Sequence, residues 1–186
     1  GVDPVTEPLI SSSQNEELAE VRTAAGETMD KVGKLFPGDE ACLYAVSQSG
    51  DTIVRAIATP ALERALGDRS FPIGQGLSGW VAANRHSIVN SEAGLDLGDQ
   101  AESVNLRTAA STPVFAFGNV IGVLTVYSSE RGAYSLHHAR IIGVLAQEIG
   151  QAMVQHHSQQ YRAQSVAKRS GPSPIVAPVP VHRTPV

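Results

Sequence analysis

Two runs of β-forming residues, Val114 to Phe117 and Val120 to Tyr127, flank Gly118-Asn119, and this pairing constrains the 186-residue chain more than any other feature. Two connecting residues leave room only for a tight antiparallel turn, in which glycine supplies the positive φ that such hairpins need. Pro113 has no N–H to give a ladder, so it belongs at the strand's start, at an edge or at a bulge. A second pair of runs, Ala41 to Ser47 and Thr52 to Thr59, surrounds Ser49-Gly50-Asp51 and reads as another hairpin.

Helical periodicity brackets these strands. Ser13 with Glu16 has capping-box spacing, and Leu18, Val21, Ala25, Thr28, Val32 and Leu35 then recur at three- and four-residue steps until Pro37-Gly38. That stripe can bury against its own domain or against a second copy of the chain. Ser135 caps a final helix, whose Ile142, Leu145, Ile149, Ala152 and Met153 form a stripe reaching at least His156. Between the hairpins lie a short helical stretch from Ala61 to Leu66 and an extended Phe71-Pro72-Ile73. A short amphipathic helix follows from Gly76 to Asn84, and then an extended Ile88-Val89-Asn90. Ser91 to Arg107 is polar and long for a connection inside a compact domain, which predicts a lid. Five of the 11 prolines follow Lys168. The organisation expected is a lead-in over 1–12, one domain over 13–163 and a Pro-rich tail or linker over 164–186.

Charge and composition narrow the function. Lys plus Arg number 14 against 18 Asp plus Glu, a formal charge of −4, so there is no basic excess to neutralise phosphates and nucleic acid is not an expected partner. The longest apolar run, Val120 to Tyr127, is far below the roughly 20 residues of a membrane span, so no membrane partner is expected for this segment. The single cysteine, Cys42, excludes an internal disulfide framework and a multi-thiolate zinc site, and suits a reducing, cytoplasmic compartment.

The order helix, hairpin, short helix and lid, hairpin, helix gives an α+β fold, with one antiparallel sheet and the long terminal helices packed on one face. Several stretches resemble the GAF family of sensory domains: Phe71-Pro72-Ile73-Gly74-Gln75-Gly76-Leu77-Ser78-Gly79-Trp80-Val81-Ala82, then Ile88-Val89-Asn90, then Leu106-Arg107-Thr108-Ala109-Ala110-Ser111-Thr112-Pro113-Val114. Val120-Ile121-Gly122-Val123-Leu124 resembles the family's core strand, and Tyr134-Ser135 with Ile141-Ile142 and Ala146-Gln147-Glu148-Ile149 its closing helix, so the match covers about residues 14 to 156. The resemblance implies the terminal helices on one face of the sheet and the short helix plus lid on the other. It also implies a small-molecule pocket between the sheet and the capping helix and lid, helical dimerisation, and transmission to an output domain. The Asn-Lys-Phe-Asp-Glu signature of the cyclic-nucleotide subgroup is missing, and Cys42 is not placed where a bilin-binding member wants its cysteine. The family's free methionine sulfoxide reductases use several cysteines, because a thiolate attacks sulfur and a second thiol resolves the product. One thiol leaves that turnover without a resolving partner.

Among individual residues, Gly74, Gly76 and Gly79 let the backbone turn sharply into a helix that lies close to the sheet; no Lys follows them as a phosphate loop requires. His137-His138 and His156-His157 do not share a helix face, so no metal site is expected, and no nucleophile–base set joins Cys42 to His86. Asp96, Asp99, Glu92 and Glu102 fall in the lid and read as solvated. The expected ligand site is Trp80, Asn90, Leu106, Arg107 and Ser111. Trp80 supplies a stacking wall or fills the core, Asn90 and Ser111 offer hydrogen bonds, and Leu106 lines the site. Arg107 fixes an anionic group or pairs with Asp99 or Glu102. The sequence names no cofactor and no catalytic residue. Its leading reading is a non-enzymatic, dimeric sensory domain; the alternatives are a dimerisation module with a closed or vestigial pocket and a small redox or hydrolytic enzyme.

Overall fold

The structure, a computed structural model, describes residues 12–169. The first helix, α1 (Ser12–Leu35), buries Leu18, Val21, Ala25, Thr28 and Val32. Two strands follow, β1 (Glu40–Val46) and β2 (Thr52–Ala58), then α2 (Pro60–Leu66), β3 (Ser70–Pro72), α3 (Gly76–Asn84) and β4 (Ile88–Glu92). Two single-turn helices, α4 (Gly94–Leu97) and α5 (Gln100–Ser103), lead into β5 (Thr108–Ala116), β6 (Asn119–Ser128) and the long α6 (Leu136–Arg169). The six strands form one sheet in the order β3-β2-β1-β6-β5-β4, and every pair in it is antiparallel.

Strand alternation divides the interior into two cores. Ala41, Leu43 and Ala45 of β1, with Leu124 and Val126 of β6, face a layer formed by α1 and α6. Cys42 and Tyr44, with Val123 and Tyr127, face the opposite side, covered by α2, α3 and the segment that follows β4. The two long helices run antiparallel: Lys31 of α1 meets Glu148 of α6 at 2.9 Å, while Phe36 just beyond α1 packs on His138 near the start of α6. The α1 stripe is thus spent within the chain. Leu18 is 4% exposed, and only Leu35 at the far end stands out at 52%.

Three expectations change. The β5–β6 turn is Phe117-Gly118, one residue earlier than expected, with positive φ at both (52° and 76°), while Asn119 is already in β6 opposite Ala116. The two-residue turn itself requires positive φ at both positions, and the Phe117 ring meets His157 of α6 edge-on at 5.4 Å. The lid is not an open loop, because Ala93, Leu97, Ala101 and Leu106 bury their side chains and fold it into α4 and α5. Finally, α6 continues through Arg169, so residues 164–169 are helical where a tail was expected; no Pro or Gly interrupts 151–169. The rest of that expected tail and most of the lead-in lie outside the described residues.

Candidate functional site

Beneath α3 the sheet carries hydroxyls where a plain core would carry methyl groups. Strand period two puts Thr125 and Tyr127 of β6 on this face, with Ser111 of β5 opposite Thr125 and Tyr44 of β1 opposite Val123 on the same face. Ser111, Thr125, Tyr44, Tyr127 and Ser78 of α3 are all fully buried. Each hydroxyl has a partner: Ser111 Oγ lies 2.8 Å from Thr125 Oγ1, Thr125 Oγ1 2.8 Å from Ser78 Oγ, and Tyr44 Oη 2.8 Å from Tyr127 Oη.

Both chains of hydroxyls end on Asp96. Oδ2 accepts from Ser78 Oγ at 2.6 Å and from Tyr127 Oη at 2.8 Å, while Oδ1 accepts the backbone N–H groups of Leu77 and Ser78, both at 2.9 Å. A hydroxyl has one proton. Since Ser78 and Tyr127 give theirs to the carboxylate, Thr125 must donate to Ser78, Ser111 to Thr125 and Tyr44 to Tyr127. The protons therefore all point toward Asp96, which is 3% exposed and ion-paired to no Lys or Arg among the described residues. Its four acceptor positions are filled by these donors and by the positive end of α3, which together replace a cation. Burial, with Asp96 nearby, pushes the phenols of Tyr44 and Tyr127 well above their ordinary range, so both remain protonated donors.

Glycine permits this junction. Gly76 opens α3 at φ 67°, and a Cβ there would stand 2.9 Å from both Asp96 Oδ1 and the carbonyl oxygen of Leu95. One turn on, a Cβ at Gly79 would be 2.6 Å from the Pro72 carbonyl oxygen. The glycines thus permit close approach of α3 to α4 at Gly76 and to the end of β3 at Gly79.

The five expected ligand residues do not converge. Ser111 starts the hydroxyl chain, and Leu106 is buried in the same core. Trp80 lies on the outer side of α3 at 39% exposure. Arg107 is exposed and makes no ion pair with Asp99 or Glu102 among the described residues. Asn90, at φ 56°, ties down the chain before α6: its Nδ2 donates to the Tyr134 carbonyl at 2.6 Å, and its Oδ1 accepts the Tyr134 N–H at 2.9 Å. Asp96, read as a solvated lid residue, is instead the centre of the network. Nothing local marks it: of its two neighbours Leu97 is fully buried and Leu95 is 54% exposed. Thr125 and Tyr127 share a face with Ser111 through the shifted turn and the register break between Val114 and Phe115, whereas a regular hairpin around Gly118-Asn119 pairs Ser111 with Val126; the contact of Ser78 with Asp96 spans 18 residues and has no local signature.

Two hollows open on the other face of the sheet. One, of about 520 Å³, lies between the β5–β6 turn and α6, lined by Phe115, Phe117, Gln147, Gly150 and Val154. The smaller, of about 140 Å³, is bounded by Met29, Phe36, Asp39, Ile57 and Val126. Cys42 is fully buried in β1, and burial raises its thiol far above the usual range, which leaves it a small hydrophobe rather than a nucleophile.

A family model described as GAF domain matches residues 19–154. No curated protein is matched. Among solved structures, the free methionine-R-sulfoxide reductase from Neisseria meningitidis, in complex with its substrate, is similar with a TM-score of 0.62 and 22% identity, over 78% of this chain and 84% of that one. The GAF domain of an Acinetobacter phosphoenolpyruvate-protein phosphotransferase follows at 0.58 and 15%, over 77% and 96%. A methyl-accepting chemotaxis protein matches at 0.60 and 12%, over 81% and 98%. At these identities the likeness is one of fold.

Proposed function

The chain belongs to the GAF family, and from that premise we propose that it is a non-enzymatic sensory and regulatory module, which binds a small-molecule effector and signals through α1 and α6 to an output domain. The observation that carries this reading is the buried hydroxyl chain from Ser111 to Asp96 beneath α3. Directed hydroxyls on a sheet face are the chemistry that recognises a small polar molecule, and an apolar core of the same size would serve stability equally well. The effector site is accordingly built on Ser111, Thr125, Ser78 and Tyr127 with Leu106 as an apolar wall. Trp80 stands outside it as a reporter.

The reductase similarity is read as shared architecture. Reduction of a sulfoxide needs an attacking thiolate and a resolving thiol, and the chain's one cysteine is buried and held protonated. Within the proposal the module acts in the cytoplasm as a homodimer joined through its terminal helices; no helix among the described residues is long and apolar enough to cross a membrane. A second reading, a dimerisation module with a closed pocket, is favoured by the filling of the α3 side by Leu77, Val81, Leu97 and Leu106. Thermal-shift screening of the purified chain against polar metabolites, with Trp80 fluorescence as a second readout, separates the two. An effector that raises the melting temperature and perturbs Trp80 supports the sensor. Silence across the screen, with no molecule extracted from the purified protein, favours the closed module.

A further inference from the structure

The α4–α5 segment is closed by local backbone hydrogen bonds, Leu97 N–H to Ala93, Gly98 N–H to Gly94 and Leu106 N–H to Ala101, and its two ends meet where Ala93 N–H donates to the Arg107 carbonyl. Each helix is a single turn of four residues, neither has a side-chain hydrogen bond at its N-cap, and such turns are marginal in isolation. Gly94 and Gly98, the latter at φ 56°, and Asn105 at φ 53° divide the stretch into short pieces. Its attachments to the rest of the domain include the side chains of Ala93, Leu97, Ala101, Val104 and Leu106, the Ala93 N–H on the Arg107 carbonyl and the carboxylate of Asp96. Only Asp96 engages both α3 and β6 by hydrogen bonds, with four donors on one side chain.

We infer that Asp96 is an exchangeable latch: it holds α4–α5 closed over the hydroxyl-bearing face of the sheet, and an effector reaches that face only by displacing it. This rests on the proposed sensor reading and gives that site its regulation. Four donors aimed at two coplanar oxygens also specify what replaces Asp96, namely a carboxylate or an anion of like geometry. When the carboxylate leaves, two buried backbone N–H groups lose their acceptor, and each hydroxyl chain is left with one proton more than it has acceptors. The cost of opening is therefore shared by the N–H groups of Leu77 and Ser78 and one hydroxyl in each chain.

Hydrogen exchange on the intact chain tests the latch without any effector. Asp96→Ala removes the whole acceptor. Asp96→Asn keeps the volume and one carbonyl oxygen, so it serves if the alanine variant does not fold. In either variant the amides of 93–106 are expected to exchange at least tenfold faster than in the parent, with α1 and the 141–150 stretch of α6 unchanged. Formate at 100 mM, against a chloride control, is expected to slow 93–106 again in Asp96→Ala and to leave the parent unaltered. Exchange at 93–106 within twofold of the parent in Asp96→Asn overturns the latch, as does acceleration spread equally over α1 and α6, which marks a global core role. Absence of formate rescue in a folded Asp96→Ala overturns the exchange with an external carboxylate. A silent effector screen bears only on the sensor reading, because none of these measurements uses an effector.

Discussion

Gly150 of α6 and Phe115 of β5 meet backbone to backbone: a Cβ on Gly150 would stand 2.1 Å from the Phe115 carbonyl oxygen. The contact falls where β5 breaks register with β6, between Val114 and Phe115, so the bulge and the glycine together set how low α6 can lie on the sheet. Alanine at this position gains up to about 1 kcal/mol of helix propensity, yet its methyl group must push strand and helix apart, at about 1–3 kcal/mol. Gly150→Ala is therefore expected to lower the denaturant midpoint. An unchanged or raised midpoint would mean that α6 lifts freely from the hairpin.

The direction of the hydroxyl chain can be read by a double-mutant cycle. Thr125→Val removes the acceptor of Ser111 and the donor to Ser78, leaving a buried Ser111 hydroxyl without its partner, which is expected to cost about 1–3 kcal/mol. Adding Ser111→Ala removes the stranded donor. The double variant is then more stable than Thr125→Val alone, with a coupling of about 0.5–1.5 kcal/mol in chemical denaturation. Simple additivity would show that the two hydroxyls are not in series.

Cys42 gives a direct test of the non-enzymatic reading. Its fully buried thiol is held protonated by burial, so a disulfide reagent at pH 8 is expected to label the folded chain only at the rate of unfolding and the denatured chain at once. Rapid labelling in the native state would return a redox role to consideration.

Tyrosine ionisation sets the alkaline limit of the fold. Tyr44, Tyr127 and Tyr134 all have their phenol pKa raised in the folded state, chiefly by burial, with the Asp39 carboxylate adding to the effect at Tyr134. In the unfolded chain a phenol ionises near pH 10, so above that pH the unfolded state binds fewer protons and gains. The stabilisation is complete below about pH 10 and is lost as pH rises toward the folded-state values. The phenolate absorbance of these three residues is expected to appear together with loss of helical circular dichroism. Its appearance in a chain that is still folded would contradict their burial.

Local pattern carried the strands, the helix limits of α3 and the stripes of α1 and α6, because alternation and three-four spacing are properties of neighbouring residues. What it could not carry was the Ser91 to Arg107 stretch. Asp96 and Asp99 are chemically alike and three residues apart, and only the distant Ser78 and Tyr127 make one of them a buried centre while the other stays exposed. The turn shifted because positive φ favours glycine and asparagine over phenylalanine in sequence, whereas the pairing of Ala116 with Asn119 puts Phe117 and Gly118 at its centre.

If two copies join through their terminal helices, the contact must use side chains that α6 does not already spend on its own sheet. Leu18 and Val32 of α1 are core residues of the single chain, so Leu18→Glu tests folding rather than association. On α6 the exposed large apolar positions are Leu136 at its start and then Val144, Val154, Tyr161 and Val166, at 76%, 55%, 37%, 70% and 63%. Val154 and Tyr161 are one heptad apart, which keeps them on one seam between paired helices. Light scattering of the intact chain at micromolar concentration is expected to give twice the monomer mass, and Val154→Glu with Tyr161→Glu to return it to the monomer without lowering the helical content below residue 150. A strictly monomeric parent at high concentration would remove the dimer from the proposal. A dimer that survives both substitutions would move the seam away from this face of α6, toward Leu35 at the exposed end of α1.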